Sequence, residues 1–497
     1  MIPLTAFIQR NTELAALDHL TARPGPALVL VYGRRRVGKT TLVRRWAALS
    51  GRPTFYWESP KRATPDNCRT ALVQELWRWQ HPNQETSAPR FDNWRDVLIE
   101  VRRAAGDKPC NIILDELPWA VESDPSLPSY LKRAWDETFP DSQVKLIIAG
   151  SHISAMESLM RSDAPLFGRL TGKLLVRPFL FIEIAPFVPH YSAEKCLAVY
   201  SILGGIPDYL RGWNDRVDLL PNIREFFISD RSPYRNEKEI LISDVLRLET
   251  TDYEAVLAAV GEGKHEADAI VTATQITSSR VADVLGTLTE VRLVERRIRA
   301  SIPPAQHTKA RYARYYLADP FLQFYYRFIA PHRTQIAQEL LAPVEQDITA
   351  QLRGFVGGTF EELCRTWTLA QARAGGLPLA PEFVGSDWQG AQHQADVVAV
   401  NWHTRQVLVG EAKWEDHATK PEVLDDLQER AAKVIRRLNQ ADPRPNPTTR
   451  EPAPWNTCLM IFSRRGGTPT LKSQAQQAGI RILTFADITR DLAQLSG

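Results

Sequence analysis

The sequence has few cysteines, little net charge and no long apolar run. Among its 497 residues are five cysteines without a CxxC pair: Cys68, Cys110, Cys196, Cys364 and Cys458. Their scatter argues against a disulfide framework and a zinc site, and it predicts reduced thiols. The net charge of +3 excludes a histone-like electrostatic binder but is compatible with a local basic patch.

The longest apolar runs have the length of strands, and none could span a bilayer. Arg10 and Glu13 stand where a signal peptide would need an apolar core. These absences predict a cytoplasmic protein that does not bind membranes. A hydrophobic fraction of 44% and a charged fraction of 24% are ordinary for a globular protein. The length predicts three or four domains.

A phosphate-binding pattern follows the first apolar run. Residues 27–32, ALVLVY, predict a buried parallel strand, and residues 41–49 predict a helix. Between them lies GxxxxGK[ST], in which backbone N–H groups surround phosphates, the lysine reaches the β- and γ-phosphates and the hydroxyl binds magnesium. A glycine-rich turn without a ligand is the alternative. The residues predicted to bind ATP and Mg²⁺ here are Gly33, Arg34, Arg35, Arg36, Val37, Gly38, Lys39, Thr40 and Thr41.

A second strand ends in two acidic residues. Residues 111–114 are mostly apolar and lead into Asp115 and Glu116. We predict that Asp115 holds magnesium, with Thr40, and that Glu116 polarises the attacking water. Apolar runs that end in Asp-Glu are common, so the prediction depends on the distance from the P-loop. The βαβ order places this strand beside the P-loop strand.

Three further residues are candidates for the nucleotide site. Residues 144–149 predict a strand. Ser151 follows it and can reach the γ-phosphate between the P-loop strand and the strand that ends at Asp115. A plain turn is the alternative. Arg169 is a candidate arginine finger, although a surface arginine is an equal alternative. Pro207 follows two glycines that interrupt a helical region.

The segments YGRRRVGKTTL, IILDE, LIIAGS, PLFGR and GGIPDYL occur in this order. Together they resemble the archaeal-type ATPase family within the AAA+/STAND group of P-loop NTPases, over residues 1–235. The resemblance implies a helical lid after the nucleotide core, with Pro207 near the nucleotide at the junction. It also implies that Arg10 and Asn11 lie near the adenine. Asn11 replaces the acidic residue usual in that family.

Residues 252–320 predict a winged helix-turn-helix. Helices are expected over residues 253–260, 266–272 and 281–288, and strands over residues 293–298 and 312–317. A basic wing can contact the phosphates of DNA. The alternative is a domain that only packs against the ATPase. The basic residues of this segment are Arg280, Arg292, Arg296, Arg297, Arg299, Lys309, Arg311 and Arg314.

The C-terminal part predicts a hairpin with three polar residues. Strands are expected over residues 395–400 and 406–413. Glu411 and Lys413 are two apart and share one side of their strand, and Asp396 is expected across from them. Two carboxylates and a lysine can hold one or two magnesium ions and steady a water against a phosphodiester. A solvated hairpin face is the alternative.

The pattern Asp-x14-Glu-x-Lys resembles the PD-(D/E)xK nuclease superfamily. Glu361, on a helix expected over residues 357–374, resembles the helical acidic residue of that superfamily. A helix over residues 423–438 and a strand over residues 458–462 fit its αβββαβ order. The resemblance implies that Asp396, Glu411 and Lys413 are catalytic and that the two carboxylates bind Mg²⁺. The whole chain looks like archaeal and bacterial ATPases with a C-terminal DUF234 domain.

These inferences predict an α/β protein of four parts. They are a P-loop ATPase core with a parallel sheet over residues 1–180, a helical lid over 181–245, a winged helix-turn-helix over 246–335 and an α/β restriction-endonuclease-like domain over 340–497. The expected function is ATP hydrolysis that controls a Mg²⁺-dependent nuclease acting on DNA. The alternative is a STAND-like regulatory ATPase with a DNA- or protein-binding winged helix and an inactive nuclease fold. A homo-oligomer is expected if Arg169 completes a neighbouring site.

Overall fold

A computed structural model describes residues 8–83, 87–246, 251–309, 312–390, 393–442 and 453–496. The chain divides into two units that exchange segments between residues 180 and 248. The first unit comprises Met1–Phe179, Gly205–Trp213 and Ile240–Arg247. The second unit comprises Leu180–Gly204, Asn214–Glu239 and Leu248–Gly497. The four predicted domain boundaries remain a prediction.

Parallel strands and flanking helices alternate in the first unit. The strands are β1 (Ala27–Tyr32), β2 (Thr54–Glu58), β3 (Cys110–Asp115), β4 (Val144–Gly150) and β5 (Gly172–Leu175). The helices are α1 (Asn11–Thr21), α2 (Lys39–Ser50), α3 (Pro65–Gln80), α4 (Trp94–Ala105), α5 (Leu117–Ser123), α6 (Leu127–Thr138) and α7 (Ile153–Ser158). All residues of β1, β3 and β4 are buried, because helices cover both faces of the sheet.

The parallel sheet has the strand order β2-β3-β4-β1-β5. We expected the strand that ends at Asp115 to lie beside the P-loop strand, and this expectation was wrong. β4 pairs with β1 on one side and with β3 on the other. A crossover connection can skip a position in the sheet, so sequence order alone does not fix adjacency. The end of β4 therefore lies between the ends of β1 and β3.

Between residues 180 and 248 short helices alternate between the units. α8 (Ala193–Leu203) and α10 (Leu219–Ile223) belong to the second unit, and α9 (Pro207–Gly212) belongs to the first. α11 (Glu237–Leu246) begins in the second unit and continues in the first. Gly205 has no room for a side chain, since a Cβ there would lie 1.8 Å from the carbonyl oxygen of Phe179.

The second unit continues with three helices and an antiparallel strand pair. The helices are α12 (Thr251–Gly261), α13 (Ala267–Thr274) and α14 (Ser278–Glu290), and the strands are β6 (Val294–Ile298) and β7 (Ala313–Leu317). Helices α15 (Pro320–Phe324) and α16 (Arg333–Ala337) lead into the long helix α17 (Leu341–Arg373). The expected order of three helices and two strands is present in this segment.

A mixed sheet completes the second unit, in the order β12-β11-β10-β9-β8. β8, β9 and β10 are antiparallel, and β10, β11 and β12 are parallel. The elements are β8 (Phe383–Gln389), β9 (His393–Asn401), β10 (Gln406–Lys413), α18 (Val423–Ala441), β11 (Asn456–Ser463), α19 (Pro469–Gln477), β12 (Arg481–Thr484) and α20 (Phe485–Ser496). Val398, Val409, Leu427 and Ile461 belong to the apolar cluster that joins α18 to this sheet.

Helix α17 is longer than the sequence predicted. We expected a helix over residues 357–374, yet α17 begins at Leu341 and runs through Gly354, Gly357 and Gly358. Each interior glycine costs about 1 kcal/mol relative to alanine. Burial of Val344 and Ile348 on the first turns offsets that cost. Within the ranges described, no helix has the length and apolarity needed to cross a membrane.

Candidate functional site

Two glycines shape the loop that joins β1 to α2. A Cβ on Gly33 would lie 2.2 Å from the carbonyl oxygen of Val176. Gly38 has a φ of 93° immediately before α2. The close backbone contact and the positive φ both favour glycine over any residue with a side chain. The loop ends at a helix N-terminus, which is the arrangement that binds phosphate groups in proteins.

Lys39 folds back onto this loop. Its Nζ donates to the carbonyl oxygen of Arg34 at 3.1 Å, and the residue is buried. Burial lowers the pKa of Lys39, while the carboxylates of Glu116 and Asp115 oppose this change. These carboxylates are the predicted catalytic and magnesium-binding groups, so the structure brings them together with the P-loop lysine.

Asp115 accepts hydrogen bonds from two hydroxyl groups. Its Oδ2 lies 2.6 Å from Thr40 Oγ1 and 2.9 Å from the Tyr56 hydroxyl. Tyr56, which was not predicted from the sequence, lies on β2, the neighbour of β3. Burial raises the pKa of Tyr56, and the Asp115 charge raises it further. The guanidinium of Arg44 lies 4.0 Å from the centroid of the Tyr56 ring. Tyr56 therefore stays a neutral donor to Asp115.

Glu116 is held by the end of β4. Its Oε2 accepts from the Ser151 N–H at 3.0 Å and from the Ser151 hydroxyl at 2.9 Å. Glu116 has a φ of 50°, a left-handed conformation that costs energy in residues other than glycine. Burial raises the pKa of Glu116, whereas Lys39 and Ser151 lower it. Ser151 thus positions a carboxylate at the point where the strand ends meet.

The arginines of the P-loop contact α9, which carries Pro207. Arg34 Nη2 donates to the Tyr209 hydroxyl at 3.2 Å, and Arg36 Nη1 lies 2.5 Å from Asp208 Oδ2. Pro207 Cγ would lie 3.7 Å from a Cβ on Gly38. The GGIPDYL segment therefore packs directly against the predicted phosphate loop. The family resemblance implied a position near the nucleotide for Pro207, which stays a prediction, whereas no motif predicted the contacts of Arg34 and Arg36 with α9.

Arg10, the residue before α1, also contacts the P-loop. Its Nη2 donates to the carbonyl oxygen of Val37 at 3.0 Å, and its guanidinium lies 3.9 Å from the centroid of the Phe179 ring. Asn11 begins α1 and is exposed. Arg10 contacts the loop through one side-chain hydrogen bond, whereas the predicted adenine contact remains a prediction.

Arg169 forms a bidentate ion pair within its own unit. Its Nε and Nη2 lie 3.1 and 3.0 Å from the two carboxylate oxygens of Asp136. Its Nη1 donates to the carbonyl oxygen of Phe167 at 2.9 Å. These contacts fix the guanidinium on the surface of the first unit. A role as an arginine finger for a neighbouring copy stays a prediction.

The three polar residues of the predicted C-terminal site lie together on neighbouring strands. Asp396 on β9 and Glu411 on β10 are buried, and Lys413 Nζ lies 2.9 Å from Glu411 Oε1. Asp396 Oδ2 accepts from the Ala412 N–H at 2.9 Å. The register pairs Val397 with Gly410, which places Asp396 across from Glu411 as expected. The two carboxylates are buried and are not part of a solvated hairpin face, whereas Lys413 is partly exposed.

Like charges and burial act together in this cluster. Burial and the Asp396 charge raise the pKa of Glu361, on α17, to about 8. Burial and Asp396 also raise the pKa of Glu411 to about 7, against the effect of Lys413. Burial is the larger cause of both raised pKa values, and the nearby Asp396 charge adds to it.

The C-terminal site offers a metal ion two facing carboxylates, those of Asp396 and Glu411, and not three protein ligands. In the described ranges, no group of three or more His, Cys, Asp or Glu side chains is arranged to hold a metal ion. Magnesium is commonly bound by one or two carboxylates together with water and substrate phosphates. The pair of Asp396 and Glu411 therefore suits magnesium better than a metal that needs four protein ligands.

Two arginines that were not predicted from the sequence complete this site. Arg430 on α18 places Nη1 at 2.8 Å from Glu411 Oε2. Arg365 on α17 donates from Nη1 to the backbone oxygen of Asp396 at 2.7 Å. Glu361 and Arg365 also line a cleft of about 870 Å³ in the second unit. Helical arginines give no motif in a single sequence, so only the fold identifies them.

Several basic residues of the segment with α14, β6 and β7 bind other groups of the second unit. Arg280 Nε lies 2.7 Å from Asp252 Oδ2, Arg297 Nη1 lies 2.9 Å from Glu362 Oε2, and Arg314 Nη2 lies 3.0 Å from Glu266 Oε1. Arg296 donates to backbone oxygens at His307 and Lys309. The Arg299 guanidinium lies 5.2 Å from the centroid of the Tyr312 ring. Arg311 lies outside the described residues.

Comparison with known families identifies both ends of the chain. An ATPase domain found predominantly in Archaea matches residues 7–212. DUF234, a domain of archaeal and bacterial proteins of unknown function, matches residues 325–435. The chain therefore combines an archaeal-type P-loop ATPase domain with a C-terminal DUF234 domain. A P-loop ATPase domain implies nucleotide binding.

The relatives are distant. An uncharacterised protein of Methanocaldococcus jannaschii is 27% identical over 416 residues, which cover 82% of this chain and 88% of that protein. A Walker-type ATPase of Pyrococcus abyssi is 18% identical with a TM-score of 0.48, covering 65% of this chain and 97% of that one. The ORC2 protein of Aeropyrum pernix, solved in ADPNP–ADP complexes, is 14% identical with a TM-score of 0.44, covering 69% and 97%.

Proposed function

We propose that this protein hydrolyses ATP and that its nucleotide site controls a C-terminal domain that cleaves DNA with Mg²⁺. The observation that carries the nuclease proposal is the pair of buried carboxylates of Asp396 and Glu411 on adjacent strands, with Lys413 beside Glu411. Structural roles alone do not explain why two carboxylates are buried side by side, because burying like charges is unfavourable.

At the nucleotide site the roles follow from position. The loop over residues 33–41 binds the phosphates, with Lys39 on the β- and γ-phosphates. Thr40 and Asp115 hold Mg²⁺, and their 2.6 Å contact supports a shared position beside the metal. Glu116 orients the attacking water, and Ser151 holds Glu116. Pro207 closes over the loop, and Arg169 acts only if a neighbouring copy supplies it.

At the C-terminal site Asp396 and Glu411 would hold Mg²⁺. The fit rests on donor chemistry and on Glu411 Oε2, a buried oxygen without a hydrogen bond among the described residues. A bound Mg²⁺ would supply Lewis acidity toward the scissile phosphate. Lys413 orients water for attack on phosphorus. One P–O bond of the phosphodiester breaks and water supplies the oxygen and protons, which leaves a phosphomonoester and a hydroxyl group.

DNA reaches this site through the C-terminal domain in our proposal. The cleft lined by Glu361 and Arg365 is where we place the DNA strand. We infer that α12 to α14 with β6 and β7 form a winged helix. The ion pairs of Arg280, Arg297 and Arg314 support packing of this element within its unit more than a free basic surface. Its contribution to DNA affinity is therefore secondary.

The test is cleavage of single-stranded, duplex and branched DNA by the full-length protein in Mg²⁺, with and without ATP. Glu411→Ala and Lys413→Ala should each abolish cleavage while ATP hydrolysis continues. Lys472→Ala, which removes an exposed lysine of α19, is the matched control and should cleave normally. Lys39→Ala should remove the effect of ATP on cleavage. Normal cleavage by Lys413→Ala would refute its catalytic role.

The second candidate is a regulatory ATPase switch with an inactive nuclease fold. It is favoured by the pairing of Glu411 with both Lys413 and Arg430, which neutralises the site without any metal. Tightly bound ADP in the purified protein, very slow ATP turnover and no cleavage of any DNA substrate would establish this candidate. Rapid Mg²⁺-dependent cleavage that Glu411→Ala abolishes would exclude it.

A further inference from the structure

One arginine nitrogen faces both carboxylates of the C-terminal site. Arg430 Nη1 lies 2.8 Å from Glu411 Oε2 and 3.9 Å from Asp396 Oδ1. Arg430 projects from α18, whereas the carboxylates come from β9 and β10. The contact is therefore made between elements distant in sequence, and its geometry depends on the packing of α18 against the sheet.

The other oxygen of each carboxylate is already fixed by β10. Glu411 Oε1 is bound by Lys413 at 2.9 Å, and Asp396 Oδ2 accepts the Ala412 N–H at 2.9 Å. The strand thus orients both side chains so that one oxygen of each remains on the side of Arg430. Those two oxygens both face Arg430 Nη1, which is the cationic group nearest to them in the described residues.

Glu411 Oε2 is not satisfied as a hydrogen-bond acceptor. Glu411 is only 1% exposed, and its Oε2 has no hydrogen-bond partner in the described part of the chain, although Arg430 Nη1 is 2.8 Å away. The contact is ionic without the alignment of a hydrogen bond. Buried carboxylate oxygens are normally hydrogen-bonded or bound to a metal, so this oxygen points to a cation ligand.

We propose that Arg430 occupies the bridging cation position of the C-terminal site and yields it to a divalent metal, after which its guanidinium binds the scissile phosphate. The second half of this proposal rests on the proposed nuclease function. Arg430 is then a catalytic residue that the Asp-x14-Glu-x-Lys pattern does not contain.

Distances make the two occupants mutually exclusive. Magnesium binds oxygen at about 2.0–2.1 Å. A metal bound to these carboxylates on the side of Arg430 would overlap with Arg430 Nη1, which is 2.8 Å from Glu411 Oε2. Arg430 is partly exposed on a helix surface, and its long side chain can turn away from the site. A phosphate on the metal then offers the guanidinium two oxygens in the planar geometry it binds best.

The first measurement is Mn²⁺ binding to the full-length, nucleotide-free protein by electron paramagnetic resonance. If Arg430 occupies the position in about nine of ten molecules, Arg430→Ala should tighten the apparent Kd for Mn²⁺ about tenfold. Glu411→Ala should abolish this binding. Arg436→Ala, which removes an exposed arginine from the same helix, should leave it unchanged. An unchanged or weaker affinity in a folded Arg430→Ala protein would overturn the proposal.

The second measurement is DNA cleavage by the same variants at saturating Mg²⁺. Arg430→Ala should reduce the rate about 10³-fold despite its tighter metal binding, and Arg430→Lys should be intermediate because lysine keeps the charge but loses the planar fork. Full cleavage by Arg430→Ala would overturn the phosphate role. If the wild-type protein cleaves no DNA, the nuclease function fails, and the Mn²⁺ titration still decides whether Arg430 competes with metal.

Discussion

A buried ion pair attaches the loop between β6 and β7 to the C-terminal sheet. Asp387 on β8 is fully buried, and its carboxylate binds Arg437 Nε at 2.7 Å and Nη2 at 2.5 Å. The same carboxylate accepts from the Ser301 N–H at 3.1 Å and the Ser301 hydroxyl at 2.6 Å. Asp387→Asn should therefore weaken this attachment strongly.

The magnitude follows from what the substitution leaves behind. Asparagine keeps an acceptor for Ser301 but turns an N–H₂ group toward Arg437, whose charge is then uncompensated. Arg437 is only 9% exposed, so water cannot replace the lost carboxylate. Removing one partner of a buried ion pair costs about 3–5 kcal/mol. The matched control is Glu429→Gln on α18, the helix that carries Arg437. This substitution breaks a more exposed ion pair with Lys433 and should cost about 0.5 kcal/mol or less.

Hydrogen exchange measured by mass spectrometry can detect the weakened attachment in the segments that form it. The Ala300 amide donates to the Ser386 carbonyl oxygen, so segments 299–302 and 384–388 report on the attachment. A cost of 3–5 kcal/mol corresponds to exchange about 10²- to 4 × 10³-fold faster in Asp387→Asn, up to the limit set by global unfolding. Equal exchange rates in Asp387→Asn and Glu429→Gln would refute the reasoning, since the buried pair would then contribute no more than an exposed one.

Three other predictions concern the two candidate sites. Glu116→Gln should slow ATP hydrolysis by about 10²-fold or more and preserve ATP binding, measured by phosphate release and by titration with a fluorescent ATP analogue. Tyr56→Phe removes one donor to Asp115 and should destabilise the first unit by about 1.5–3 kcal/mol in urea unfolding. Without metal, the second unit should lose stability on the order of a few kcal/mol between pH 5 and 8. Glu361 and Glu411 have raised pKa values in the folded state, so folding takes up protons at these side chains and stability falls as pH rises. Added Mg²⁺ should reverse this loss of stability. Hydrogen exchange of β10 measures both effects.

Local sequence signals predicted the elements that carry the motifs. The strand before the P-loop was predicted over residues 27–32 and forms β1 with these bounds, because a continuous apolar run is typical of a strand covered on both faces. The strand over residues 406–413 likewise forms β10 with the predicted bounds. Two-residue periodicity then suffices to place Glu411 and Lys413 on one side of that strand.

Residues that act through tertiary contacts could not be predicted in this way. Tyr56 reaches Asp115 across 59 positions, and its strand β2 carries no motif. Arg365 and Arg430 lie on helices whose amphipathic pattern only separates buried from exposed faces. The start of α17 was misjudged because glycines 354, 357 and 358 indicate a helix boundary locally, while buried contacts earlier in the helix determine its real extent.

The same limitation applies to the basic residues near β6 and β7. Charge in a sequence gives no information about its partner, and here Arg297 is paired with Glu362 of α17, 65 positions away. Glu362 also binds Arg365 at 2.7 Å, and Arg365 in turn holds the backbone of Asp396. The strand pair is therefore connected to the carboxylate site through two ion pairs and one hydrogen bond to the backbone. The basic segment that we considered for DNA contact or for packing therefore also supports the candidate catalytic carboxylates in the folded chain.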